Sequence, residues 1–197
     1  MQEALPEIPL RFELIHGEPC GPLEQADLGL RHAAKPRAGL ALTPLVPETV
    51  IPVCSPDDLA RQGPIDGPRG TAPHPLALLT GPMRVPWDVF LELTHHEGPR
   101  QGSRGEFSDY ALPIQSAIKG QCVGLGWWHV VASQIEAGDL VPAGARILRS
   151  RDDYHLVMLG GEGQSREPVR RVQDWLLSEF RGLHRQLAAM GVEVLPF

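Results

Sequence analysis

Residues 107 to 140, FSDYALPIQSAIKGQCVGLGWWHVVASQIEAGDL, hold the pattern that most restricts how this chain can fold. An amphipathic run ends at Gly120, a short apolar run QCVGLGW follows, and a second helical run, WHVVASQIEA, stops at Gly138. Glycine just past the last helical residue supplies the left-handed turn that closes a helix. An apolar stretch this short, set between two helices, has the length of a strand covered on both sides. Helix, buried strand and helix in succession belong to a layered α/β fold. Pro113 lacks an N–H, so the first helix is predicted to begin at it or only a few residues earlier, with Ser108 or Asp109 as its cap.

The rest of the chain alternates in the same way. Ile8, Leu10, Phe12 and Leu14 in IPLRFEL have the period of a strand with one buried face, with Pro9 at its start or on an edge. ADLGLRHA (26 to 33) and ETVIPVCS (48 to 55) read as further strands, the second apolar on both faces. SPDDLARQG reads as a short helix capped by Ser55 with Pro56 in the first position. LALLTG is predicted as a strand, VPWDVFLELTHHEG as a helix and PRQGSRG as a loop. ARILRS and DYHLVML are predicted strands. After Pro168, Val169, Val172, Trp175, Leu176, Leu183, Leu187 and Met190 mark the longest helix, and GVEVLPF a last strand. Alternating strands and helices predict an α/β protein with mostly parallel sheets, whose ligands lie at strand ends beside helix N-termini.

Charge and cysteine usage narrow the function. A formal net charge of −6 argues against a polyanion-binding surface, so DNA is not expected to be held by these residues alone. The three cysteines, Cys20, Cys54 and Cys122, are odd in number and widely spaced, which suggests neither a disulfide framework nor a zinc knuckle. The first ten residues carry acids where a secretory leader carries lysine or arginine, and no segment approaches the ~20 apolar residues of a membrane span. A soluble, cytoplasmic protein is expected.

Several side chains could carry chemistry. Cys122 could be a nucleophile, but such a thiolate needs a helix N-terminus and a histidine, and Cys122 sits between a helix-ending glycine and an apolar run. The glycines of GQCVGLGW lack both the P-loop lysine and the dinucleotide spacing. His95 and His96 are adjacent, so their side chains diverge on a helix; His16 and Cys20 form at most a pair where a metal wants three or four ligands. Neither a metal nor another cofactor is expected. Ser108 is open to two readings, a plain helix cap or a hydroxyl that, with backbone N–H groups, cradles a carboxylate.

Taken together, ADLGLRHA, LVPETVIPVCSPDDLA, PLALL, WDVFL, the whole 107 to 141 block, YHLVM and VQDWLLSE resemble the effector-binding domain of LysR-type transcriptional regulators, in the branch that includes the glycine-cleavage activator. The resemblance runs from about residue 8 to residue 179, and PVCSP and the G-x-x-V-G-L-G-W block are its specific parts. It implies a fold like type 2 periplasmic binding proteins, with two α/β lobes, two crossover segments and a small-molecule cleft. Lobe one would comprise residues 1–51 and 160–197, and lobe two residues 52–159. Effector contacts carried over from the family are Phe107, Ser108 and Asp109 on the helix-start segment, Tyr154 on the returning strand, and Arg31 and His32 at the end of a lobe-one strand. A small-molecule effector, with a carboxylate favoured, and a homodimer are the implied partners.

The chain also departs from the family. No winged helix-turn-helix precedes LPEIPLRFEL, so DNA contact would come only through a segment this chain lacks. The family's first lobe-one strand is missing too, and GVEVLPF is expected to substitute for it, because an empty interior position leaves backbone groups unpaired. The rival account is a truncated chain or a mis-set gene start. The functional rivals are a stand-alone small-molecule binding protein of the same fold, and a hydrolase built on Cys122 or Ser108.

Overall fold

The computed structural model describes residues 3–13, 23, 26–32, 38–66, 74–80, 85–94, 104–159 and 166–197. Contacts divide the chain into a first unit, Met1–Glu48 with Asp152–Gln186, and a second, Thr49–Arg151 with Leu187–Phe197. Among the described residues the elements follow in the order β1 (Leu28–His32), β2 (Leu40–Cys54), α1 (Pro56–Gln62), β3 (Leu76–Leu79), α2 (Trp87–Leu93), β4 (Arg104–Phe107), α3 (Ala111–Ile118), β5 (Gly124–Trp127), α4 (Trp128–Glu136), β6 (Val141–Pro142), β7 (Arg146–Leu159), α5 (Glu167–Ala189) and β8 (Glu193–Pro196). The long strands β2 and β7 carry the chain from one unit to the other and back. The larger sheet has the order β1-β7-β2-β5, with β6 on β2 and β8 on β7; β3 and β4 form a sheet of their own. Among the described residues no helix is long and apolar enough to cross a membrane.

In the first unit β1 runs antiparallel to β7, from Leu28 opposite Met158 to His32 opposite Tyr154. Successive side chains on a strand alternate between faces, so Leu28, Leu30 and His32 share one face while Gly29 and Arg31 share the other. Leu156, Val157 and Met158 of β7 and Val169 and Val172 of α5 are buried, as the helical spacing after Pro168 predicted. The strand predicted at residues 8 to 14 does not form over its described part, residues 8–13. Alternation defines a face, but a strand also needs a neighbour to complete its ladder; Phe12 is instead 73% exposed.

The second unit is built around Val50, Cys54, Leu76, Trp87, Phe90, Val123, Leu125 and Leu148. Every residue of β2 from Glu48 to Cys54 is buried, in keeping with its two-sided apolar character. β2 pairs antiparallel with β5, Val50 opposite Trp127 and Val53 opposite Gly124, and with β6. β3 pairs parallel with β4, Leu76 opposite Arg104 and Leu79 opposite Phe107. The helix starts follow the sequence rules. Ser55 Oγ accepts the Asp58 N–H at 3.2 Å, and Pro56 opens α1. Gly120, at a φ of 67°, ends α3 as expected.

Three expectations are corrected. The paired strands are mixed rather than mostly parallel: β1–β7, β2–β5 and β2–β6 are antiparallel, β3–β4 and β7–β8 parallel. The antiparallel ladders involve the two long crossover strands, which periodicity shows as strands without showing their direction. Arg104–Phe107, read as loop and helix start, is strand β4, held by its pairing to β3 rather than by any periodicity of its own. The tail does form a strand, but β8 lies parallel to Arg146–Arg149 of β7 within the second unit, where Leu195 and Phe197 pack against the core; it fills no interior position of lobe one.

Candidate functional site

The residues singled out in the sequence fall into two groups, one in each unit. In the first unit the end of β1 and the returning strand β7 bring His32 and Tyr154 together. They are direct cross-strand partners, and their rings meet edge to face, 5.1 Å apart at 83°. Their third member, Glu48 of β2, carries no motif in the sequence. Its carboxylate lies 3.2 Å from His32 Nε2, with the two side chains 1% and 7% exposed. Burying a carboxylate is expensive unless a partner offsets the loss of water, so an acid inside the apolar run TVIPVC was the available signal. Its partner, sixteen positions earlier in the chain, could not be read from the sequence.

Arg31 points the other way. It shares its sheet face with its cross-strand neighbour His155, whose Nδ1 lies 3.0 Å from the Asp153 carbonyl. Arg31 Nη1 donates to the Leu30 carbonyl at 3.0 Å, while its Nη2 is buried without an acceptor among the described residues. The guanidinium lies back over Gly29, where a Cβ would come within 3.3 Å of Nη1 and 2.4 Å of Leu23 Cδ2. Arg31 and His32 therefore do not form a joint cluster.

In the second unit Phe107, Ser108 and Asp109 make the turn from β4 into α3. The Phe107 carbonyl accepts both the Thr80 N–H at 2.7 Å and the Thr80 hydroxyl at 3.1 Å. Asp109, rather than Ser108, serves the helix start, its Oδ1 accepting the Ala111 N–H at 2.8 Å. Ser108 is exposed, and its hydroxyl has no partner among the described residues. Tyr110, which the sequence analysis passed over, reaches across so that its hydroxyl accepts the Trp127 N–H at 2.7 Å.

The two described thiols, Cys54 and Cys122, are unsuited to nucleophilic work. Both are buried. Loss of water, with a smaller push from the Asp58 carboxylate, raises their pKa values to about 12 and about 11. A nucleophilic cysteine needs the opposite shift. His129 is driven by burial to a pKa of about 4, too low for a general base at neutral pH to gain much from it. Cys122 and Val123 are instead core residues leading into β5, which is what GQCVGLGWW encodes. His16, Cys20, His95 and His96 lie outside the described residues. Among those described, no three His, Cys, Asp or Glu side chains are grouped to hold a metal.

The family pattern described as LysR substrate binding domain matches residues 3–181. The chain belongs to that family. It is 28% identical over 178 residues to the glycine cleavage system transcriptional activator of Escherichia coli K12, a match that covers 89% of this chain and 57% of the activator. The chain thus spans little more than half the length of that curated relative. The effector domain of the transcriptional regulator AmpR of Pseudomonas aeruginosa superposes with a TM-score of 0.63 at 18% identity, covering 95% of this chain and 88% of that one. Full-length LTTR LysG from Corynebacterium glutamicum with bound effector Arg gives 0.53 at 18% identity, covering 78% and 51%. These likenesses show the fold, that of LysR effector-binding domains, which is periplasmic-binding-protein-like of type 2. The family is one of transcriptional regulators, and the hydrolase and stand-alone alternatives are not favoured.

Proposed function

We propose that this LysR effector-binding domain senses a small molecule and has no catalytic activity of its own, and that its two units are the two lobes of the sensor. Binding that favours one lobe arrangement shifts the population by the ligand's differential affinity. The family match over residues 3–181 carries this reading. On it, the effector-contact residues are Phe107, Ser108 and Asp109 in the second unit and Tyr154 and His32 in the first; Arg31, also in the first, lies on the opposite face of β1 from His32 and would meet a ligand separately. Ser108 offers an exposed, uncommitted hydroxyl on a turn fixed on both sides. Tyr154 is held edge-on by His32. DNA is engaged by a winged helix-turn-helix outside this sequence, the working form is a homodimer, and the place of action is the cytoplasm.

A thermal-shift screen of the chain against small carboxylates, amino acids and cell-wall fragments tests the proposal. A ligand at 100 times its Kd adds about 2.7 kcal/mol. Ser108→Ala and Tyr154→Phe are expected to abolish the shift while leaving the melt cooperative. A hit that both variants retain would place the ligand elsewhere and defeat the site assignment.

A further inference from the structure

We propose that Tyr110 is a further effector contact, and that its hydroxyl selects a ligand presenting an oxygen acceptor, a carboxylate or carbonyl, to the start of α3. The inference rests on the effector-binding reading and names the chemistry of that site. Its basis is a hydrogen-bond inventory. A tyrosine hydroxyl can donate one hydrogen and accept in return. Here the acceptor side is taken by the Trp127 N–H at 2.7 Å, and the ring is fixed against the Trp127 indole, 4.7 Å away at 64°. Burial pushes the pKa of Tyr110 up, so the proton stays on the oxygen. No described residue accepts that proton. What the hydroxyl can still do is donate.

Its surroundings make that donor a fixed one. The segment from Phe107 to Tyr110 is tied at one end by the two bonds from Thr80 and at the other by Asp109 on the Ala111 N–H. Ser108, two residues from Tyr110, adds a second hydroxyl without a partner among the described residues. A donor already immobilised forgoes little rotamer entropy on binding. The exposed carboxylates of Glu106 and Asp109 flank the turn and repel an anion, so the preference for an oxygen acceptor rests on the hydroxyls alone and favours a neutral carbonyl over a carboxylate.

The test uses the ¹⁵N-labelled full chain and three probes: acetate, acetamide and methylammonium. Acetate and acetamide are expected to move the Ser108 and Trp127 amide signals saturably, and methylammonium to leave Trp127 in place. Tyr110→Phe keeps the ring on Trp127 and is expected to weaken both oxygen probes by about fivefold, the effect of one hydrogen bond. 3-Fluorotyrosine placed at position 110 is a stronger donor and is expected to tighten both, which a purely structural role would not produce. If the oxygen probes move Ser108 but bind Tyr110→Phe and the fluorotyrosine chain as they bind the native one, the Tyr110 assignment falls and the effector site stands. If methylammonium moves Trp127 as well, the acceptor preference falls. If neither these probes nor any screened ligand moves Ser108 or Trp127, both proposals fall.

Discussion

The two glycines of β5 are spaced two apart and look interchangeable in the sequence, yet the structure gives them opposite tolerances. A Cβ added at Gly126 would lie 2.7 Å from one Cγ atom of Val131, closer than real side chains approach, and 3.0 Å from the other, tighter than most real contacts. Val131 is fully buried in α4, and a β-branched side chain in a helix has one strongly preferred rotamer, so it cannot swing aside. Overpacking of this kind costs about 1–3 kcal/mol, and two blocked methyl groups place Gly126→Ala in the upper half of that range. At Gly124 the nearest atoms are 3.6 to 3.8 Å away, ordinary contact distance. Gly124→Ala is therefore expected to be within about 0.5 kcal/mol of neutral, with the loss of unfolded-chain freedom working in its favour. Urea unfolding followed by tryptophan fluorescence reads the second unit well, because Trp87, Trp127 and Trp128 all belong to it. Gly126→Ala is expected to lower the melting temperature by roughly 5–10 °C in a chain of this size. In a Val131→Ala background the same substitution should cost less than about 1 kcal/mol, since the obstructing methyl groups are gone. Equal costs at Gly124 and Gly126, or no relief in the Val131→Ala background, would refute the steric argument.

Three further outcomes are expected. Ellman's reagent at pH 8 should label Cys54 and Cys122 only as fast as the second unit opens, because burial holds their pKa values near 12 and 11; a rapid burst assigned to Cys122 would contradict this. His129 has a folded pKa lowered from 6.5 to about 4, so its contribution is fully present above pH 6.5 and is lost as the pH falls toward 4. That loss amounts to about 3 kcal/mol at most, and unfolding curves across this window should flatten in His129→Gln. Ser55→Ala removes the oxygen that takes the Asp58 N–H and should cost about 1 kcal/mol by denaturant titration; a neutral result would mean the cap contributes nothing.

How much the sequence disclosed depended on the range of the interaction involved. Local chemistry was legible: Ser55 and Pro56 mark the start of α1, Gly120 the end of α3, and the GLGW run is a strand. The resemblance of the 107 to 141 block anticipated the family as well. Partnerships between distant residues were not legible. Residues 8–13 alternate correctly but form no ladder, while Arg104–Phe107 has no alternation worth the name and is a strand because β3 lies beside it. At the candidate site, Ser108 and Tyr154 were reached through family likeness. Glu48 and Tyr110 were missed because each matters through a partner, His32 or Trp127, that sequence spacing does not reveal.

The interleaving of the two units also bears on how the protein is made. Residues 49–151 leave the ribosome as one stretch, but the second unit also includes Leu187–Phe197, with β8 laid along Arg146–Arg149. Between those stretches the ribosome must first deliver Asp152–Gln186, which belong to the first unit. At about 5–20 residues per second this leaves an interval of roughly 2–7 s. Throughout that time the β7 edge that β8 will cover is open to other strands, so a nascent chain of this design is most exposed to mispairing and to chaperone capture just before Leu187–Phe197 emerge.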